Sequence, residues 1–456
     1  MRKVKLPSNS EFIVLAPRFE VNESGHFYWF TKSLERELIS NDLPFRIISG
    51  AFDGSSQKQF ESWRILPTRK EWGKDTGTIS PLRLAKLIET EILIDTKQSS
   101  RSLIYTYETS YSLLAALIII LLRRPNSTAA ANMLDTGYWQ RFFDWEWFSW
   151  APLRSSVKYA LKSVDKRLLL YANMPNHAAI ISEQINYPVD VFPHISALNP
   201  KEYANEDFSS ILRDEKLPKI LILTWPGDLP FVCRTLKLMS QKNPMLLQQI
   251  TVHTKNSIDD SVMISYLSLE NIKGINLVTG TLSEDSYKKL IRQNDVTLFP
   301  YSDEMHFSTG SGRVIDSLVL GRPVILNSES GSCLHANKVN ACFTFDGISP
   351  SSLLEAIEKF RLSPFFAVNS AKKEQDNLEL AAGIEFSIGG MLGNIISGSE
   401  ERMGNTKTGA HIRKINIALV MLIFEVTWHS LAVYNEFSLF TQRALKFLLL
   451  RGKSSK

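Results

Sequence analysis

Short apolar runs alternate with longer amphipathic stretches along most of this chain, in two separate series, and that alternation constrains the fold more than any other feature. In the first series, residues 12–16 (FIVLA), 45–49 (FRIIS), 103–106 (LIYT) and 129–134 (AAANML, ending at Asp135) read as strands. A loop carrying Gly25 and His26 and a helical stretch over about 27–39 follow the first of them. The second series opens with residues 219–224 (KILILT), a loop at 225–228 and a helix over about 230–241, and continues with strands at 250–253, 275–278 and 296–299. Strands that alternate with helices pair in parallel and are covered on both faces. The pattern therefore predicts two doubly wound α/β domains.

A length of 456 residues exceeds what one core usually supports and agrees with two domains plus an appendage. Between the two series, residues 188–194 break into prolines and short apolar residues and 199–218 are polar, which marks a linker. The 52 basic and 47 acidic side chains leave a formal charge of +5, too small an excess to point to nucleic acid as a partner. Three cysteines at 233, 333 and 342 have no metal-ligand spacing, and their odd number argues for a reducing, cytoplasmic compartment. The basic N-terminus runs straight into the first strand without the apolar core of a secretory signal. The ten-residue run LLAALIIILL at 113–122 is short of the roughly 18 residues a membrane span needs, so it reads as a buried helix.

The stretch 306–325, HFSTGSGRVIDSLVLGRPVI, carries the most chemistry. Ser308, Thr309, Gly310, Ser311 and Gly312 lead into a helix predicted to begin at about Ser311, and Gly321-Arg322-Pro323 closes it ahead of a buried strand. A helix start points backbone N–H groups and positive dipole at whatever precedes it, and glycine allows close approach of a phosphate. Arg313 could neutralise such a phosphate or face solvent. Asp316, one turn further in, could accept from two ribose hydroxyls. The plainer alternative is a loop with Ser311 or Ser308 as a helix cap and Asp316 solvated.

With the preceding block NLVTGTLSEDSYKKLIRQNDVTLFPYS (276–302), this stretch resembles the nucleotide-sugar signature of glycosyltransferases of the GT-B fold, in the group 1 or family 4-like superfamily. The resemblance covers about residues 10–395. It implies two Rossmann-like domains with a cleft between them: an acceptor-side domain over 1–198, a linker over 199–218 and a nucleotide-sugar domain over 219–365. It further implies helices over 366–400 returning toward the first domain and a helical tail over 401–456. Thr279 joins Ser308–Arg313 and Asp316 in the implied donor site. The partners implied are a nucleoside diphosphate-sugar and a saccharide or lipid-linked acceptor, with the sugar nucleotide as co-substrate and no cofactor.

Two departures from the family pattern stand out. Retaining members carry Glu, seven residues, Glu, whereas Ser308 occupies the first position here. They also keep an Arg and a Lys after the first strand of the second domain, where this chain reads TWPGDLPFVCR with only Arg234 nearby. Retention or inversion of the anomeric centre is thus open. No Asp-any-Asp triplet occurs, which points to metal-independent transfer with no metal ligands to assign. If the reaction inverts, a base must stand by the acceptor hydroxyl. His26 and Asp135, both at strand ends of the first domain, are the candidates, with His306 a third. A non-catalytic nucleotide-sugar-binding subunit and a nucleotide-sugar epimerase are the alternative functions.

The aromatic stretch YWQRFFDWEWFSW (138–150) is followed by Arg154, Lys158, Lys162, Lys166 and Arg167. That pairing suits either a membrane interface or a core with a solvated face. In the tail, the apolar run 415–435 holds Glu425 at its centre, which disfavours spanning a bilayer. The segment 436–456 has the spacing of an interfacial helix, so peripheral attachment to the inner face of a membrane is expected, against packing on the protein itself.

Overall fold

A computed structural model describes residues 6, 10–20, 26–51, 60–62, 79–93, 101–107, 109–133, 151–192, 195–196, 198, 217–224, 226–254, 272, 274–301, 311–367, 370–404, 418–427 and 429. The chain divides into one unit formed by Met1–Phe192 with Leu392–Lys456 and another formed by Pro193–Met391. Of the linker expected at 199–218, residues 199–216 lie outside the described residues.

The first unit holds strands β1 (Ser10–Glu20), β2 (Phe45–Ala51), β3 (Phe60–Ser62), β4 (Arg101–Thr106), β5 (Thr128–Asn132), β6 (Leu168–Ala172) and β7 (Val189–Val191). Their order is β3-β2-β1-β4-β5-β6-β7, and every pair is parallel. Helices α1 (His26–Ser40), α2 (Pro81–Leu87), α3 (Tyr111–Arg123), α4 (Ala151–Val164) and α5 (Pro175–Ile185) accompany them. Every residue of β5 and β6 is buried, as befits central strands of a sheet covered on both faces. β7 falls inside the proline-broken stretch that the sequence suggested was linker. It is an edge strand with one partner, where flanking prolines and exposed side chains are tolerated.

The apolar run 113–122 forms most of α3. Ser110 caps it by accepting from the Leu113 N–H at 3.2 Å, and Leu113 through Leu121 are buried in the unit's core. Its C-terminal carbonyls are met by Arg167, itself buried, which donates to Leu121 O and, at 3.1 Å, to Arg124 O. Arg167 is therefore a helix-end partner and leaves the cationic row, whereas Lys158, Lys162 and Lys166 are exposed. The aromatic stretch 138–150 lies outside the described residues.

The second unit is built from β8 (Ile220–Leu223), β9 (Ile250–Thr254), β10 (Asn276–Thr279), β11 (Val296–Phe299), β12 (Val324–Asn327) and β13 (Cys342–Phe345), ordered β10-β9-β8-β11-β12-β13 and parallel throughout. Its helices are α6 (Leu229–Lys242), α7 (Pro244–Leu247), α8 (Glu284–Arg292), α9 (Gly312–Val319), α10 (Ser332–Lys338), α11 (Pro350–Arg361) and α12 (Ala371–Glu385). Local chemistry sets α8 well: Ser283 accepts from the Ser286 N–H, Glu284 and Asp285 occupy the positive first turn, and Lys289 and Arg292 the last. Gly321 ends α9 with φ +69°, a left-handed position that favours glycine.

Two helices follow. α13 (Ile388–Gly404) joins the first unit from Leu392 onward, where Ser399 Oγ pairs with Thr128 Oγ1 at 2.6 Å. α14 (Ala418–Thr427), with residue 429, is the described part of the apolar run 415–435. It buries Val420 and Phe424 in the first unit's core, and Phe424 meets Tyr111 edge to face with centroids 6.1 Å apart. The acid in the middle of that apolar run has a structural explanation: Glu425 Oε1 accepts from the Leu82 N–H at 2.8 Å, placing a carboxylate at the start of α2. Glu425→Ala is expected to cost about 1.5–3 kcal/mol, the range for a hydrogen bond to a charged group, and Glu425→Gln clearly less because an acceptor remains. Equilibrium denaturation of both variants checks this, and equal losses would show that the carboxylate contributes nothing through its charge. Residues 430–456 of the tail lie outside the described residues.

Candidate functional site

In the second unit the chain steps from β8 through β9 to β10 on one side of the sheet, then returns to place β11, β12 and β13 on the other. Strand order reverses between β8 and β11, and ligands of open α/β sheets bind at the carboxyl ends of the strands beside such a point. α9 follows β11 and begins there.

The start of α9 is held from two sides. Ser311, the residue before the helix, donates its backbone N–H to Ser332 Oγ at 2.9 Å, from the first residue of α10. Its hydroxyl pairs with the Tyr301 hydroxyl at 2.6 Å. Ser311 thus makes no side-chain cap, contrary to the capping alternative, because Tyr301 already engages its Oγ. Val314 N–H turns back to Ser311 O at 3.1 Å, and Gly312 is the first helical residue. Its N–H is one of the terminal donors without an intrahelical acceptor.

Arg313 turns away from the helix axis toward the neighbouring strand ends. Its Nη1 donates to Thr224 O, just past β8, at 3.4 Å, and its Nη2 lies 3.5 Å from His253 Nδ1 in β9. His253 is buried, and its Nε2 is 3.0 Å from Gly280 O, which follows β10. The ends of β8 and β9 therefore meet the guanidinium of Arg313 from α9 directly, and the end of β10 meets it through the His253 ring. Thr279, assigned to the donor site by resemblance, is exposed at the end of β10 and abuts this network through Gly280.

Asp316 sits one turn deeper and is partly buried. Its Oδ1 accepts from Ser196 Oγ at 2.8 Å, so the carboxylate is tied into the protein and not simply solvated. Burial pushes its pKa up to about 7, with Glu284 adding to the rise, while the Ser196 hydrogen bond, the Arg313 charge and Tyr287 pull it down. The Tyr287 hydroxyl on α8 is raised in turn by burial and by the Asp316 charge.

Of the residues singled out from the sequence, Ser311, Gly312, Arg313, Asp316 and Thr279 lie at this end of the second sheet. Ser308, Thr309, Gly310 and His306 lie outside the described residues, as does Asp135. His26 is the first residue of α1, not a loop residue. Sequence reasoning did not find His253, Thr224, Ser196 or Ser332. His253 stands at the end of the strand expected at 250–253, the one cue it offered, and the rest meet α9 only through the fold. Among the described residues no group of three or more His, Cys, Asp or Glu side chains is arranged to hold a metal.

Both sheets, their parallel strands and the helices around them have the two-domain α/β architecture of the GT-B glycosyltransferases, with a helical C-terminal region added. Among solved structures, the chain is similar to the N-terminal domain of Candida albicans trehalose-6-phosphate phosphatase, with a TM-score of 0.58 at 10% identity over 87% of this chain and 97% of that one. A glycosyltransferase from Rickettsia africae gives 0.56 at 13% identity over 88% and 100%. The E. coli trehalose-6-phosphate protein bound with UDP-2-fluoro glucose gives 0.53 at 12% identity over 87% and 99%. At these identities the likeness is one of fold. No protein-family model matches the chain, and no curated protein matches it in sequence.

Proposed function

We propose that the chain is a metal-independent glycosyltransferase that moves a sugar from a nucleoside diphosphate-sugar to an acceptor. The favoured acceptor class is a lipid-linked saccharide or polysaccharide precursor, met in the cytoplasm at the inner face of a membrane. The observation that carries the donor half of this reading is the first turn of α9: a glycine N–H and an arginine stand at the carboxyl ends of β8 and β9, beside the strand-order reversal. A helix start and a fixed cation suit a leaving diphosphate, whose developing charge they stabilise without an ion. The UDP-sugar analogue in the E. coli structure of like fold supports the same ligand class.

Turnover of UDP-glucose, UDP-N-acetylglucosamine and GDP-mannose with lipid-linked and free saccharide acceptors tests the proposal. Transfer to an acceptor supports it. Binding without turnover marks a nucleotide-sugar-binding subunit, and interconversion of donor sugars marks an epimerase. Anomeric analysis of the product separates retention from inversion. Gly312→Trp is expected to weaken nucleoside diphosphate binding at least tenfold, about 1.4 kcal/mol, by blocking the approach to the helix start. Unchanged affinity, measured by calorimetry on the folded variant, places the diphosphate elsewhere.

A further inference from the structure

We infer that His253 is a positioning residue for the donor site, acting on the diphosphate through Arg313; this rests on the donor site proposed above. The loop after β8 supplies no cation: Pro226–Asp228 form a short turn, and Arg234, the next basic residue, is exposed on α6. Arg313 brings a cation to the end of β8 from α9 instead, through its contact with Thr224 O.

A long arginine on a first helical turn has many rotamers, and a fork aimed at a diphosphate gains from being held in one. His253 holds it by a simple logic of donors and acceptors. A carbonyl only accepts, so the 3.0 Å contact with Gly280 O places the ring proton on Nε2. The Nδ1 lone pair is then turned to Arg313 Nη2. The carbonyl is itself fixed, because Gly280 has φ +84° and its N–H donates to Thr254 O at 3.0 Å, extending the β9–β10 ladder by one rung. Gly280, His253 and Arg313 form a relay from the edge of the sheet to the helix start. Each link passes orientation and no charge.

The test is a double-mutant cycle on the full chain, read as affinity for UDP, GDP and ADP, with uridine as the phosphate-free control. Arg313→Ala is expected to weaken binding of the preferred diphosphate roughly 10- to 100-fold and leave uridine within about 2-fold. Arg313→Lys, a point charge without the fork, falls between. His253→Leu is expected to cost about 3- to 10-fold in the wild-type background and nothing further in Arg313→Ala, the non-additivity of a residue acting through another. His253→Gln, which keeps a side-chain amide for hydrogen bonding, recovers part of the loss and serves if the leucine variant does not fold. Equal costs of the His253 change with and without Arg313 overturn the positioning role while leaving the donor site standing. A wild-type chain that binds none of the three diphosphates overturns both.

Discussion

Gly321→Ala is expected to destabilise the second unit by about 2–5 kcal/mol, and to lower its unfolding temperature by roughly 5–15 °C. Two costs add. An alanine at φ +69° carries roughly 1–2 kcal/mol of left-handed strain. Its Cβ would also stand 2.8 Å from Gln375 O, a backbone atom of α12 that cannot swing aside as a side-chain tip could. α12 or the α9–β12 turn must move instead. Gly347 provides the control, since it has φ +59° but nothing within 4 Å of the position its Cβ would take. Gly347→Ala should cost only the strain, roughly 1–2 kcal/mol. Thermal and denaturant unfolding of the two variants decide the matter: equal losses would show that the close approach of α12 adds nothing.

The second large effect is a pH dependence of stability centred on Asp316. Its carboxyl ionises at about 7 in the folded protein, against 3.8 for the ordinary group. The folded chain therefore holds that proton more tightly than the unfolded chain. Its contribution to stability is fully present below about pH 4 and is lost as pH rises through about 7. Three pKa units correspond to about 4 kcal/mol, and partial exposure of the side chain reduces this to roughly 2–4 kcal/mol. Asp316→Asn keeps an acceptor for Ser196 and cannot titrate. Wild-type stability minus that of the variant should fall by this amount between pH 4 and 7.5 in urea titrations. Parallel curves would mean that the Ser196 hydroxyl and the Arg313 guanidinium outweigh burial and hold the group near its ordinary value.

The alternation of apolar runs made the two sheets legible, because a strand buried on both faces tends to be apolar throughout, and 220–223 and 296–299 are nearly so, while 250–254 shows apolar residues only at Ile250 and Val252. β6 escaped notice because LLLYA follows the basic residues Lys162, Lys166 and Arg167 with no glycine or proline to mark a break. β7 escaped because an edge strand needs little apolar patterning. At the proposed donor site the helix start announced itself by composition, since a glycine and serines before an amphipathic turn are local facts. Arg313 meeting His253 is not local. Sixty positions separate them in sequence, and only the parallel pairing of β8 with β9 brings the two strand ends under one side chain. Arg167 teaches the same lesson in reverse: the sequence placed it in a row of cations, and the fold spends it on the carbonyls of α3.

The two units differ in a way that matters while the chain is being made. Residues 193–391 are contiguous, so the second unit has all of its strands once that segment leaves the ribosome. The first unit is not, for its core includes Val420 and Phe424 of α14. Phe424 follows Phe192 by 232 positions (424 − 192), which at roughly 5–20 residues per second is a delay on the order of 10–50 s. Through that interval the faces of α2 and α3 that α14 will cover are exposed on the nascent chain. The unit whose strands are synthesised earlier is the later one to be completed, and its apolar surface must wait for α14 to follow the whole of the second unit off the ribosome.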